Sequence, residues 1–170
     1  MHSLHISKIF FKYKKGSHYE VLLSKLDFTL TLPADTDKLI ALATDYKNFQ
    51  KFFENQIKSV QIIESNDTET ITEEILSFST IFKHEIIQRS SHKQINPHVF
   101  LTKILSGPFK NSELQISYDK IDSGTKIQVS LNLQVDFKYK LLEPIIKKRY
   151  KTVLTGLLYK MNTIVQENQS

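Results

Sequence analysis

A chain of 170 residues, 40% hydrophobic and 24% charged, has the length and composition of one folded domain and is too apolar for a disordered tail. With no cysteine it holds neither a disulfide framework nor a thiolate metal site, which suits a reducing cytoplasm. The net charge of +5 comes without a helix-turn-helix or RNA-binding signature, so specific DNA binding is not expected.

The positive excess sits mainly at Lys8–Lys15 and Lys138–Lys151, which is compatible with weak attraction to an anionic membrane surface. No apolar run approaches the ~20 residues of a membrane helix. Met1 to Gly16 lacks the apolar core of a secretory signal, so a cytoplasmic protein is expected.

Residues 1–19 read as an N-terminal extension packed on the domain. Its Ile9, Phe10, Phe11 and Tyr13 fit a strand, a short helix or an arm. Over residues 21–32, Leu26, Phe28, Leu30 and Leu32 alternate with Asp27, Thr29 and Thr31, which predicts a half-buried strand. Pro33 stops it. Asp35 is then an N-cap for a helix to about Thr44, with Leu39, Ile40, Leu42 and Ala43 on its apolar side. A short second helix, about 47–54, carries Phe49, Phe52 and Phe53.

From residue 56 the pattern becomes six strands, near 57–65, 69–79, 82–92, 98–106, 112–121 and 125–137. Asn66-Asp67 and Asp122-Ser123-Gly124 supply turn chemistry between them. In the last strand Ile127, Val129, Leu131, Leu133, Val135 and Phe137 alternate strictly with polar residues, so one face meets a core and the other water. The chain closes on a helix over about 141–166, with an apolar stripe from Leu141, Ile145 and Ile146 through Leu154 and Leu158 to Met161 and Val165. Pro144 falls in its first turn, where a missing N–H costs nothing. Gly156 lies mid-helix at a cost of ~1 kcal/mol, and helix packing or close approach of a strand or ligand would account for it.

One strand, two helices, six strands and a long helix predict an α+β fold. A curved seven-stranded antiparallel sheet must cover its apolar face, and the long helix is the element able to do so. Three stretches add a resemblance. Residues 42–53 (LATDYKNFQKFF) follow a pattern of Asp, three residues, aromatic, two residues, Phe. Gly107-Pro108-Phe109-Lys110 is a turn between strands, and Ile127–Phe137 runs into Leu141–Val165. In this order they resemble the START-like (SRPBCC) superfamily, the helix-grip fold. Within it they are similar to the polyketide cyclase/dehydrase and lipid-transport group, which includes coenzyme Q-binding proteins and ribosome association toxin relatives. The resemblance covers about residues 20–167, making 20–170 the ligand-binding domain.

The resemblance implies a pocket between the sheet and the last helix. Its candidate ligand-binding residues are Phe49, Phe53, Phe78, Phe100, Ile104, Phe109, Tyr118, Leu133, Leu154, Leu158 and Met161. Polar candidates are His84, Gln88, Thr102 and Tyr118. The facing of 71–79 and 82–92 stays open, because Ile75 and Ile87 share one parity and Leu76 and Ile86 the other. None of the six histidines forms a metal pair, and no cofactor is expected. Glu73 and Glu74, adjacent on a strand, point to opposite faces and cannot work on one atom together. There is neither a nucleophile elbow nor a phosphate-binding glycine loop. A non-catalytic carrier or sensor of a hydrophobic small molecule (lipid, quinone or polyketide-like) follows. Two alternatives stay open. One is a cyclase or dehydrase, for which an inward His84, Glu85 or Arg89 would supply acid or base. The other is an interaction module meeting a ribosome or another macromolecule through its basic surface.

Overall fold

The computed structural model describes residues 23–52, 56–77 and 85–168. The expected extension over 1–19 lies outside them, as do Phe53, Phe78 and His84. Strand β1 (Leu23–Leu32) leads into α1 (Thr36–Ala43), a 3-10 turn at Tyr46–Asn48 and the short α2 (Phe49–Phe52). Six strands follow: β2 (Ile57–Ser65), β3 (Glu69–Leu76), β4 (Ile86–Asn96), β5 (Val99–Ile104), β6 (Glu113–Ile121) and β7 (Gly124–Gln134). A second 3-10 turn, Phe137–Leu142, precedes the 25-residue α3 (Glu143–Glu167).

All neighbouring strands are antiparallel, in the order β1-β7-β6-β5-β4-β3-β2. The first strand therefore docks beside the last, and the other five continue as a meander. Register puts the alternating apolar residues in line on one face. Leu26 pairs with Leu131, Phe28 with Val129 and Leu30 with Ile127. The line continues from Leu131 to Leu114, from Val129 to Ile116 and from Ile127 to Tyr118. Against this face α3 buries Ile146, Leu154, Leu158, Met161 and Val165. This is the helix-grip α+β arrangement that alternation and stripe predict.

Helix α1 starts where expected: the Asp35 carboxylate accepts from Lys38 N at 3.1 Å. Two buried polar groups fasten this corner. Asn162 Oδ1 of α3 accepts from Ala34 N at 3.0 Å, and Thr125 Oγ1 donates to Ala34 O at 2.8 Å. Gly124 takes φ +130°, and a Cβ there would lie 2.2 Å from Leu32 O, so only glycine lets β7 start against the end of β1.

Three expectations are corrected. The last strand ends at Gln134, not at residue 137, because Asp136 caps the 3-10 turn by accepting from Lys138 N at 3.3 Å. That turn rotates Phe137 and Leu141 into solvent, 81% and 95% exposed, and Ile145 is 51% exposed. The buried stripe accordingly begins at Ile146. Among the described residues Gly156 serves neither packing nor close approach, since a Cβ there would meet none of them within 4 Å.

Candidate functional site

The grip does not close completely. A cavity of about 220 Å³ lies between the sheet and α3. It borders both halves of the core: one built around Tyr118, Leu154, Leu158 and Met161, the other around Leu76, Ile104 and Leu131. Helix α3 contributes Tyr150, Val153, Leu154, Leu157, Leu158 and Met161, spaced at three and four residues so that one face looks inward. Strands β5 to β7 contribute Phe100, Ile104, Leu114, Ile116, Tyr118 and Leu131. Ala43, Tyr46, Phe49 and Ile57 also line it.

Of the residues singled out from sequence, the structure brings Phe49, Phe100, Ile104, Tyr118, Leu154, Leu158 and Met161 together on this wall. Phe109 and Leu133 are fully buried but sit in the core outside the lining. Phe109 packs edge-on against Tyr150 at 5.3 Å and so supports the wall from behind. Gln88 and Thr102 line the cavity too, while Glu85 and Arg89 face solvent. The Arg89 guanidinium donates to Glu73 at 2.8 Å on the outer face.

The parity left open by sequence is decided by pairing. Glu74 opposes Gln88 and Thr72 opposes Ser90, and these share the inner face with Leu76, Ile86 and His92. The inner surface thus changes from apolar on β1, β7 and β6 to polar on β4 and β3. Ser90, His92 and Tyr46 are not among the pocket candidates of the sequence reading, and Glu74 enters it only as half of a carboxylate pair with Glu73. Stepping by two from Gln88 would have reached Ser90 and His92.

These polar groups form one connected strip. Thr72 Oγ1 donates to Glu74 Oε1 at 2.6 Å, and Gln88 Nε2 and Ser90 Oγ donate to Glu74 Oε2 at 2.9 and 3.0 Å. Because the Thr72 proton is used on Glu74, Thr72 accepts from His92 Nε2, 2.9 Å away. On its other side His92 Nδ1 meets Thr102 Oγ1 at 3.0 Å, and Tyr46 stacks on the imidazole at 4.3 Å. Burial alone would raise the Glu74 pKa. Hydrogen bonds from His92, Thr72 and Ser90, with the attraction of His92, outweigh it and hold the carboxyl below its ordinary range. Burial pushes the Tyr46 phenol up to about 12. It also raises Tyr118 and Tyr150, helped by the charges of Tyr46 and Glu74 respectively. The site therefore offers neutral phenols and one ionised carboxylate in a chamber that is apolar except for this strip. Among the described residues, no group of His, Cys, Asp or Glu side chains could hold a metal ion.

Residues 32–162 match the family model described as polyketide cyclase / dehydrase and lipid transport. No curated protein sequence matches the chain. Among solved structures, a START superfamily protein from Mycobacterium smegmatis superposes with a TM-score of 0.69 at 15% identity, covering 84% of this chain and 97% of the other. The Zhui aromatase/cyclase from Streptomyces sp. R1128 gives 0.67 at 12% identity, covering 82% and 94%. Norcoclaurine synthase from Thalictrum flavum, solved with dopamine and hydroxybenzaldehyde, gives 0.69 at 15% identity, covering 88% and 90%. At these identities the structural likeness is one of fold.

Proposed function

The chain belongs to the polyketide cyclase/dehydrase and lipid-transport family and has its START-like ligand-binding fold, and from that premise we propose that it is a cytoplasmic carrier or sensor of a compact hydrophobic molecule. Residues 20–170 form the binding unit and 1–19 an extension of it. The observation that carries this reading is the cavity itself. Protein cores pack as densely as organic crystals, so about 220 Å³ kept open behind an apolar wall is a feature to be filled. That volume exceeds the ~150 Å³ in which an engineered cavity takes benzene. It falls below the roughly 300–1,000 Å³ of most ligand pockets. A one- or two-ring quinone or polyketide-like compound, or a short-chain lipid, fits it better than a two-chain lipid.

Native mass spectrometry of the full chain purified from its own cells tests this reading. A retained small molecule, released by organic solvent and held less well by Leu157→Phe, whose larger ring narrows the chamber, is the expected result. Protein that emerges empty, and that no apolar compound of this size stabilises, would sink the proposal.

The surface gives such a carrier a means of reaching lipid. Exposed Phe137, Leu141 and Ile145 lie among Lys138, Lys140, Lys148, Arg149 and Lys151, the combination of apolar and basic groups that favours an anionic membrane.

A second reading, a cyclase- or dehydrase-type enzyme, is favoured by one observation: an ionised carboxylate and a histidine share the cavity wall, with side chains 12% and 10% exposed. A proton abstracted beside a carbonyl would appear as solvent deuterium entering 2-tetralone. Incorporation that vanishes in His92→Gln supports turnover, and none above the buffer rate rejects it.

A further inference from the structure

Two phenol hydroxyls on the cavity wall have no hydrogen-bond partner among the described residues. Tyr118 is 2% exposed, its ring held edge-on by Phe100 at 6.0 Å. Its hydroxyl has no hydrogen-bond partner among the described residues. Among those residues the one fully enclosed side-chain polar atom without a partner is Gln88 Oε1. The Tyr118 hydroxyl therefore opens onto the free volume of the cavity that its residue lines. Tyr46 lines the same cavity, fixed between the His92 face and the edge of Phe49 at 5.4 Å, and its hydroxyl likewise lacks a partner among the described residues. The two phenols are near enough for a charge on one to oppose ionisation of the other, and burial keeps both protonated. A hydroxyl that opens onto the cavity is free to meet a ligand, and a protonated phenol meets it as a hydrogen-bond donor.

The rest of the wall says what charge the ligand carries. Its ionised group is Glu74, and the described lining residues include no lysine or arginine. A carboxylate or phosphate would enter a low-dielectric space already holding a negative charge, whereas a neutral acceptor would not. A carbonyl oxygen has two lone pairs, enough to accept from two phenol donors. We propose that Tyr46 and Tyr118 hold the carbonyl oxygen of an uncharged ring compound, a quinone or ketone. This assignment rests on the carrier reading and narrows its ligand class.

Calorimetric titration of the full chain with menadione, 2-methylnaphthalene and 2-naphthoate tests it. The three share a naphthalene frame and differ in carbonyl and charge, and with no cysteine in the chain menadione has no thiol to alkylate. Menadione is expected to bind more tightly than 2-methylnaphthalene by about 2- to 10-fold per hydroxyl, and 2-naphthoate most weakly. Tyr118→Phe and Tyr46→Phe each lower the menadione preference by that factor, and the double variant abolishes it, with 2-methylnaphthalene binding unchanged. Tyr46 is half-buried, so its variant carries the test should Tyr118→Phe lose its fold. Equal affinity for menadione and 2-methylnaphthalene, a preference untouched by the substitutions, or tighter binding of 2-naphthoate overturns the carbonyl assignment and leaves the carrier reading standing. Binding of neither menadione nor 2-methylnaphthalene overturns the carrier reading and this assignment with it.

Discussion

Glu74 is the residue whose environment departs furthest from its surroundings: a carboxylate beneath an apolar chamber, kept ionised by donors from β3 and β4. Its folded pKa lies below the ordinary 4.5. The unfolded chain therefore binds the proton more readily, so the carboxylate's stabilisation is fully present above about pH 4.5 and is lost as pH falls through the folded value. Glu74→Gln puts a donor against donors and is expected to cost about 1–3 kcal/mol at pH 7. Denaturant unfolding at pH 7 and pH 4 should show the gap to wild type narrowing in acid; a constant gap would mean the carboxylate is not ionised in the fold. Gly124 is a second position decided by close contact. A Cβ would meet Leu32 O at 2.2 Å and Pro33 Cα at 2.7 Å, at a φ that side chains rarely adopt. Gly124→Ala should lose about 2–3 kcal/mol in the same assay.

Helix α3 buries one face and leaves apolar side chains exposed on the other. Its inward face packs Ile146, Leu154 and Leu158 on the sheet, while Ile145 and Tyr159 are each 51% exposed. Gly156 stands on the outer side with nothing near a prospective Cβ. Here the ordinary helix-propensity penalty applies without compensation. Gly156→Ala should stabilise the chain by about 0.5–1 kcal/mol, read as a melting temperature higher by about 1–4 °C. A lower melting temperature would reveal a contact of Gly156 with something outside the described chain. Strand β2 is an outer edge of the sheet, with Ile62 and Ile63 exposed, and its two register shifts interrupt the flat ladder that edge pairing needs.

For the molecule as a whole, a chamber lies on one side of α3 and a basic, apolar surface at its start. Among the described residues no helix is long and apolar enough to cross a membrane. Contact with lipid would be at the surface, through Phe137, Leu141 and the neighbouring cations. Such contact falls with added salt, because the Debye length shrinks to about 3 Å at 1 M. The chain should co-sediment with vesicles containing phosphatidylserine at low salt, and lose this on substitution of Lys147, Lys148 and Arg149 by glutamate, at about 1 kcal/mol per charge near the surface. Unchanged sedimentation after those substitutions would place the contact elsewhere, and salt-sensitive sedimentation with ribosomes instead would favour the interaction module.

Two period signals made the fold legible in the sequence. Alternation from Ile127 to Leu133 and the stripe from Ile146 to Val165 each commit a face to burial through local geometry alone, and a sheet face and a helix stripe of that length can be covered only by one another. Of the candidate pocket residues, Leu154, Leu158 and Met161 reach the cavity wall from the helix stripe, and Phe49, Phe100, Ile104 and Tyr118 from other elements; Phe109 and Leu133 are as apolar and as buried, and nothing local separates lining from core. The facing of Glu74 and His92 had no local signal, since both parities of β3 and β4 mix apolar with polar residues. Register against neighbouring strands settled it, setting Glu74 opposite Gln88 and His92 opposite Thr102. The sequence by itself therefore determined the grip, because periodicity is a property of the chain. Tertiary structure decided the chamber's polar strip and the phenols that lack a partner among the described residues, because a hydrogen-bond partner is a neighbour in space.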